Sequence, residues 1–275
     1  MGIGSLLKTA AASVGGVLFV SYLGFIKPLK YYGRMAAYVM CVLISATYGV
    51  LLSAVLVFVG KRRLVQHLVA RFFLCLTSVV MGIHMKVENA ETLTNTRPAV
   101  FISNHQSMLD VLVLGAIFPP YTSVTAKKSL KYYPFLGWFM WASGSVFLNR
   151  TNRANALKAF EDAKVEIKKY KQSVFMFPEG TRSHAFSPEM MPFKKGAFHL
   201  AIQSQLPVVP IVVSNYSRIW SQPHNHISTG TVPIRVLDPV PTKGLTAADV
   251  DSLIAKVREN MLKASTELGY AQATS

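Results

Sequence analysis

The sequence predicts an α/β fold, a mixed sheet flanked by helices, carried behind an N-terminal membrane-helix anchor. Three observations predict it. Residues 35–60 run for 26 positions without a charge, more than the ~20 residues a helix needs to cross a hydrocarbon core. No acidic residue precedes Glu88, whereas Lys8, Lys27, Lys30, Arg34, Lys61, Arg62, Arg63, Arg71 and Lys86 all lie before it. Beyond Lys86, short apolar runs alternate with helical patterns, the texture of an α/β domain. The chain therefore divides into membrane-anchoring helices over residues 1–85 and a second domain over residues 86–275.

Taken in order, residues 9–26 are uncharged for 18 positions and contain Gly15, Gly16 and Gly24, so this segment either spans or dips into one leaflet. A cleaved signal peptide competes there, but no small-residue cleavage site precedes Lys27, and Leu6 stands where myristoylation needs Ser or Thr. Residues 35–60 are a membrane helix. The basic cluster Lys61, Arg62, Arg63 and Arg71 follows it directly, which places the bulk of the chain in the cytoplasm. Lys27, Lys30 and Arg34 leave open a hairpin with its charged ends on one side. Residues 72–85, an apolar run of 14, are too short to span and read as an interfacial or buried helix.

In the second domain, strands are expected at 84–88, 100–103, 123–126, 145–148, 174–177, 208–213 and 233–237. Helices are expected at 152–170, where Leu157, Phe160, Ala163 and Ile167 recur at helical spacing, and at 195–205 and 247–268. Residues 217–232 read as the most flexible loop, and the chain shows no internal repeat.

The net charge of +16 raises the question of nucleic acid. Basic flanks on membrane helices suit anionic lipid head groups better, so membrane lipids are the expected partners and nucleic acid is not. Cys41 and Cys75 both stand in apolar surroundings, with no CxxC or Cys/His ligand spacing, so neither a disulfide nor a metal site is indicated.

Two strings carry chemistry. NHQSMLD occupies residues 104–110, directly after an apolar run. His105 precedes Asp110 by five residues, and five residues of one continuous helix turn the chain by about 500°. The two side chains meet only if His105 lies in a turn and the helix begins near Ser107. Such a pair makes an alcohol nucleophilic. FPEGTRS, residues 177–183, closes another apolar run and so sits at a strand's carboxyl end, where ligands gather in α/β sheets. Gly180 permits close backbone approach, Thr181 offers a hydroxyl and Arg182 a planar fork for phosphate oxygens.

Together the two strings resemble the glycerolipid acyltransferases related to 1-acylglycerol-3-phosphate (lysophosphatidate) acyltransferase, a family marked by NHxxxxD followed by FPEGTRS. GSVFLNR at 144–150 and LPVVPIVV at 206–213 resemble two further blocks of that family, and TAKKSLKYYPFLGWFMWASG and MMPFKKGAFHLA look most like its fungal members. The likeness covers roughly residues 87–268. Asn149 stands where many members have Asp.

The resemblance implies the glycerolipid acyltransferase fold, with residues 86–275 as its catalytic domain, and transfer of an acyl chain from acyl-CoA to the free hydroxyl of lysophosphatidate, giving phosphatidate for phospholipid and triacylglycerol synthesis. His105 is then the base and Asp110 holds its imidazole, as a triad carboxylate does. Glu179, Gly180, Thr181 and Arg182, with Arg150 and Lys127, form the acceptor phosphate site. Glu179 is expected to orient Arg182 or backbone groups, and Lys128, Lys194 and Lys195 are weaker candidates. Acyl-CoA enters as a co-substrate, with no bound cofactor and no metal. The implied location is the endoplasmic reticulum membrane, the catalytic domain facing the cytoplasm.

Other readings stand beside this one: an acyltransferase for another lysophospholipid or glycerol 3-phosphate, and a noncatalytic membrane protein that binds anionic lipid. Ser107 and Ser183 lie in no GxSxG elbow. Tyr132, Tyr133, Phe135, Trp138, Phe139 and Trp141 read by default as core, with part of an acyl-chain channel and membrane-facing surface as the alternative. Asn215, Tyr216 and Ser217 form a glycosylation sequon, at odds with a cytoplasmic domain if used.

Overall fold

The structure is a computed structural model that describes residues 27–148 and 169–274. Segment 9–26 and most of the helix expected at 152–170 lie outside the described residues, as does Arg150. The chain opens with α1 (Lys27–Phe58) and, after a short 3-10 turn, α2 (Val65–Met81). Two helical stretches, Leu29–Phe58 and Arg62–Met81, are long and apolar enough to cross a membrane by length and composition.

The helix expected at 72–85 is corrected at both ends. It begins at Val65 and stops at Met81, where Gly82 takes a left-handed conformation and Ile83 opens a strand. Apolar content alone gave no sign of that change from helix to strand. Gly82 after the last periodic residue was the available stop signal.

The strands are β1 (Ile83–Glu88), β2 (Val100–Ser103), β3 (Thr122–Lys127), β4 (Val146–Leu148), β5 (Ser173–Met176), β6 (Val208–Val213), β7 (Trp220–Ser221), β8 (His226–Ile227), β9 (Thr229–Val236) and β10 (Gln272–Thr274). The main sheet runs β1-β9-β6-β2-β5-β3-β4, with β10 added on β9. From β6 to β4 every neighbouring pair is parallel, whereas β9 is antiparallel to β6. The carboxyl ends of β2, β5 and β3 therefore share one edge of the sheet. Helices α3 (Asp110–Ile117), α4 (Leu136–Ala142), α5 (Gly196–Ser204) and α6 (Val250–Leu268) complete the domain.

The parallel strands are buried on both faces, which is why they read as continuous apolar runs. Alternate residues of β2 face opposite ways. Phe101 joins Phe175, Val209, Ile211, Leu109 and Leu112 on one side, while Val100 and Ile102 join Val174, Phe198, Val257 and Met261 on the other. The first cluster also takes in Tyr31, Ala37, Tyr38 and Cys41 of α1 and Phe73 of α2, so the N-terminal helices share a core with the sheet.

Residues 217–232 are not a loose loop. They hold the β7–β8 pair and the start of β9, with Ile219, Trp220 and Ile227 buried. A period-2 alternation from Thr229, in which Gly230, Val232, Ile234 and Val236 turn inward, was the strand signal. The helix after the histidine begins at Asp110 rather than Ser107, with a turn over the intervening residues.

Candidate active site

Strand β2 delivers Asn104 and His105 to the shared edge. The Asn104 side chain continues the β2–β6 ladder past its end, donating to the Val213 carbonyl and accepting from the Val213 amide, both at 2.9 Å. The chain then turns, and Asp110 enters as the first residue of α3, where the N-terminal end of a helix favours a negative charge.

The turn lets the pair meet. His105 Nδ1 lies 2.7 Å from Asp110 Oδ2, and the same oxygen accepts from the amides of Gln106 at 2.7 Å and Ser107 at 3.1 Å. Oδ1 accepts from the Tyr216 hydroxyl at 2.7 Å. Asp110 is thus a buried carboxylate held by four donors, the condition under which a buried charge is tolerated. Its grip places the proton on Nδ1 and leaves Nε2 as the acceptor nitrogen. His105 Nε2 has no hydrogen-bond partner among the described residues, and the side chain remains 18% exposed.

Tyr216 is the residue that sequence reasoning missed. Burial first, and the adjacent Asp110 charge second, hold its phenol well above the ordinary value, so it remains a donor. Its amide is also tied to Gln106, whose side chain donates to the Val213 and Ser214 carbonyls. The neighbouring Asn215, the sequon asparagine, is buried and donates to the Ala185 and Ser187 carbonyls. That side chain is inaccessible in the folded protein.

FPEGTRS follows β5, beside β2, and divides into two halves. The scaffolding half grips the turn that carries His105. Phe177 stacks on the His105 ring at 4.0 Å between centroids, Glu179 accepts the His105 amide at 2.6 Å, and the Ser183 amide donates to the His105 carbonyl at 2.8 Å. The second Glu179 oxygen accepts from the Met191 amide at 3.0 Å. Of the two roles expected for Glu179, the structure contains the orienting of backbone groups, both oxygens being occupied. Burial pushes its carboxyl up, and the two amides counter that.

The other half faces outward. Thr181 and Arg182 are exposed, and Arg182 makes no hydrogen bond or ion pair among the described residues. Gly180 takes a left-handed conformation (φ +71°), and a Cβ there would lie 2.9 Å from Lys194 Nζ, so the lysine crosses the loop. Lys195 points elsewhere, paired with Asp251 at 2.7 Å. Lys127 closes β3 at the same edge and is exposed, as is Lys128. Among the described residues, no three His, Cys, Asp or Glu side chains come together as a metal site.

Helix α1 also reaches this centre. Tyr38 is buried against Phe73 and Trp220 and donates to the Met108 carbonyl at 2.7 Å, inside the turn between His105 and Asp110. Nothing in the apolar character of residues 35–60 marked that contact. A small open cleft, with room for about 10 Å³, lies beside the turn, lined in part by Gln106, Ser107, His184, Phe186, Tyr216 and Trp220.

The family model for acyltransferases matches residues 84–214, the stretch that contains both strings. The 1-acyl-sn-glycerol-3-phosphate acyltransferase of Saccharomyces cerevisiae is 42% identical over 243 residues, covering 88% of this chain and 80% of that protein. This chain belongs to the 1-acyl-sn-glycerol-3-phosphate acyltransferase family. The human 1-acyl-sn-glycerol-3-phosphate acyltransferase alpha is 35% identical over 87% of the chain and 82% of its own length. The fold is that of the crystal structure of the 1-acyl-sn-glycerophosphate (LPA) acyltransferase PlsC from Thermotoga maritima. The TM-score is 0.66 at 21% identity, covering 87% of this chain and 98% of that one. An acyltransferase of this family thus carries its His–Asp pair and its FPEGTRS loop on adjacent parallel strands.

Proposed function

We propose that this chain transfers an acyl group from acyl-CoA to the free hydroxyl of 1-acyl-glycerol 3-phosphate, giving phosphatidate. The observation that carries the reading is the 2.7 Å contact between His105 Nδ1 and a carboxylate already held by three other donors. His105 Nε2 takes the hydroxyl proton as the acceptor oxygen attacks the thioester carbonyl. Asp110 stabilises the imidazolium that forms. The tetrahedral intermediate collapses, the carbon–sulfur bond breaks, and the departing CoA sulfur takes the proton from His105. Written so, the reaction draws on no bound cofactor or metal.

The acceptor phosphate meets Arg182, with Thr181 and the Gly180 backbone, and Lys127 and Arg150 add charge around it. Arg182 suits two phosphate oxygens because its donors form a planar fork. Lys194, passing over Gly180, joins this set. The two apolar helices and their basic flank support a membrane placement, in the endoplasmic reticulum with residues 86–275 on the cytoplasmic side and residues 1–85 as the anchoring part.

Purified protein tested with acyl-CoA and a panel of lysophosphatidate, glycerol 3-phosphate, lysophosphatidylcholine and monoacylglycerol decides the acceptor. Phosphatidate is the expected main product. Equal use of acceptors without a phosphate monoester would overturn the acceptor assignment. Binding of anionic lipid without transfer, unaffected by His105→Ala, would overturn the catalytic one.

A further inference from the structure

Between the end of β3 and the start of β4 the chain makes an excursion through a 3-10 turn (Lys128–Tyr132) and α4. The expectation that its aromatic residues are core is not met. Tyr132, Tyr133, Phe135, Trp138 and Trp141 are 73, 58, 42, 53 and 61% exposed. Phe139 is the aromatic side chain that turns inward, so close to α1 that a Cβ at Gly49 would lie 2.5 Å from its ring. Five exposed aromatic side chains on one short segment, with the Phe135 and Trp138 rings 5.2 Å apart, mark an interaction site.

Its attachments say what covers it. Arg62, just past α1, donates to the Ala142 and Trp141 carbonyls at 2.6 and 2.9 Å, and Gln66 donates to the Ser143 carbonyl at 3.2 Å. The excursion is thereby fixed beside the carboxyl end of α1, where Leu51, Val55 and Phe58 are 65, 62 and 90% exposed on a helix apolar enough to span a bilayer. Lys61 and Arg62 lie at that end, and Lys127, Lys128 and Lys131 border the aromatic residues. No acidic residue occurs anywhere in 111–160. Tyr and Trp concentrate at the head-group layer, and clustered lysines and arginines favour anionic lipid.

We infer that the excursion 128–142 is a second membrane-docking element, distinct from the anchoring helices, which inserts Tyr132, Tyr133, Phe135, Trp138 and Trp141 into the head-group layer of an anionic bilayer. Strand β3, whose end it leaves, pairs with β5. Docking here sets the phosphate loop at the height of lipid head groups, a consequence that rests on the proposed acceptor being a lysophospholipid in the membrane.

The chain has three tryptophans, and Trp220 is buried. Full-length protein is reconstituted into vesicles of phosphatidylcholine and phosphatidylserine whose acyl chains carry bromine near the head group. Most of the tryptophan emission is expected to be quenched, and Trp138→Phe with Trp141→Phe is expected to remove the quenchable part. Unquenched emission, as a protein partner or a second copy covering the patch would produce, overturns the inference. Trp138→Ser with Trp141→Ser should lower the rate on vesicle-borne lysophosphatidate several-fold and leave that on a monodisperse short-chain acceptor unchanged. An unchanged vesicle rate also overturns it. Absence of any acyl transfer by the unaltered protein would refute the proposed function while leaving the quenching result to stand by itself.

Discussion

The turn after β2 and the loop after β5 leave neighbouring parallel strands at the same edge of the sheet, yet they are built differently. Every polar atom of the Asp110 carboxylate is claimed, and the His105 backbone is gripped at both its amide and its carbonyl. In the loop, Phe177, Glu179 and Ser183 serve the turn, while Thr181 and Arg182 stand exposed. A general base must be held within a narrow geometry to remove a proton in the transition state. A cation that receives a phosphate gains from fitting itself to the ligand. Under the proposed function the two strings form one device, with rigidity at the base and freedom at the acceptor site.

Substitution at the rigid end should cost most. His105→Ala is expected to lower the rate of acyl transfer by about 10³-fold or more, the range of a lost general base, with the circular dichroism spectrum unaltered. Retention of most of the rate would detach the turn from catalysis. Glu179→Ala leaves the His105 and Met191 amides without their acceptor, which should lower stability by about 2–4 kcal/mol, read as an earlier thermal unfolding transition. Glu179→Gln keeps one acceptor oxygen and should recover part of the loss. Stability equal to that of the unaltered protein would show that the loop does not support the turn.

Tyr216→Phe removes one of four donors to Asp110 and should reduce kcat by about 10-fold, from the ~1.5 kcal/mol or so of a hydrogen bond to a charged group. The acceptor KM should stay as it was. A raised KM with unchanged kcat would move Tyr216 from the turn to the acceptor. Lys194→Met should raise the KM for lysophosphatidate by only about 3-fold, since an exposed charge contributes modestly. An effect as large as that of His105→Ala would place the lysine in the chemistry.

Much of this contrast was legible in the residues. Five-residue spacing required His105 and Asp110 to meet across a turn, and the apolar runs of β2 and β6 marked both strands, because strands buried on both faces are mostly apolar. Tyr216 was not legible. It stands 106 residues from Asp110, and no local pattern ties a phenol to a distant carboxylate. The aromatic excursion was misjudged because hydrophobicity is the same signal for a protein core and for a bilayer. Only the packing of Phe139 on α1, with its neighbours turned out, distinguishes them.

The proposed division between a catalytic turn and a phosphate loop is tested most directly by one measurement: the acceptor dependence of acyl transfer by Arg182→Ala, with lysophosphatidate and with neutral monoacylglycerol. The account predicts an apparent affinity for lysophosphatidate about 10- to 100-fold weaker, as expected for loss of a charged, bidentate contact, and a preference over monoacylglycerol that largely disappears. Unchanged affinity and unchanged preference would contradict it.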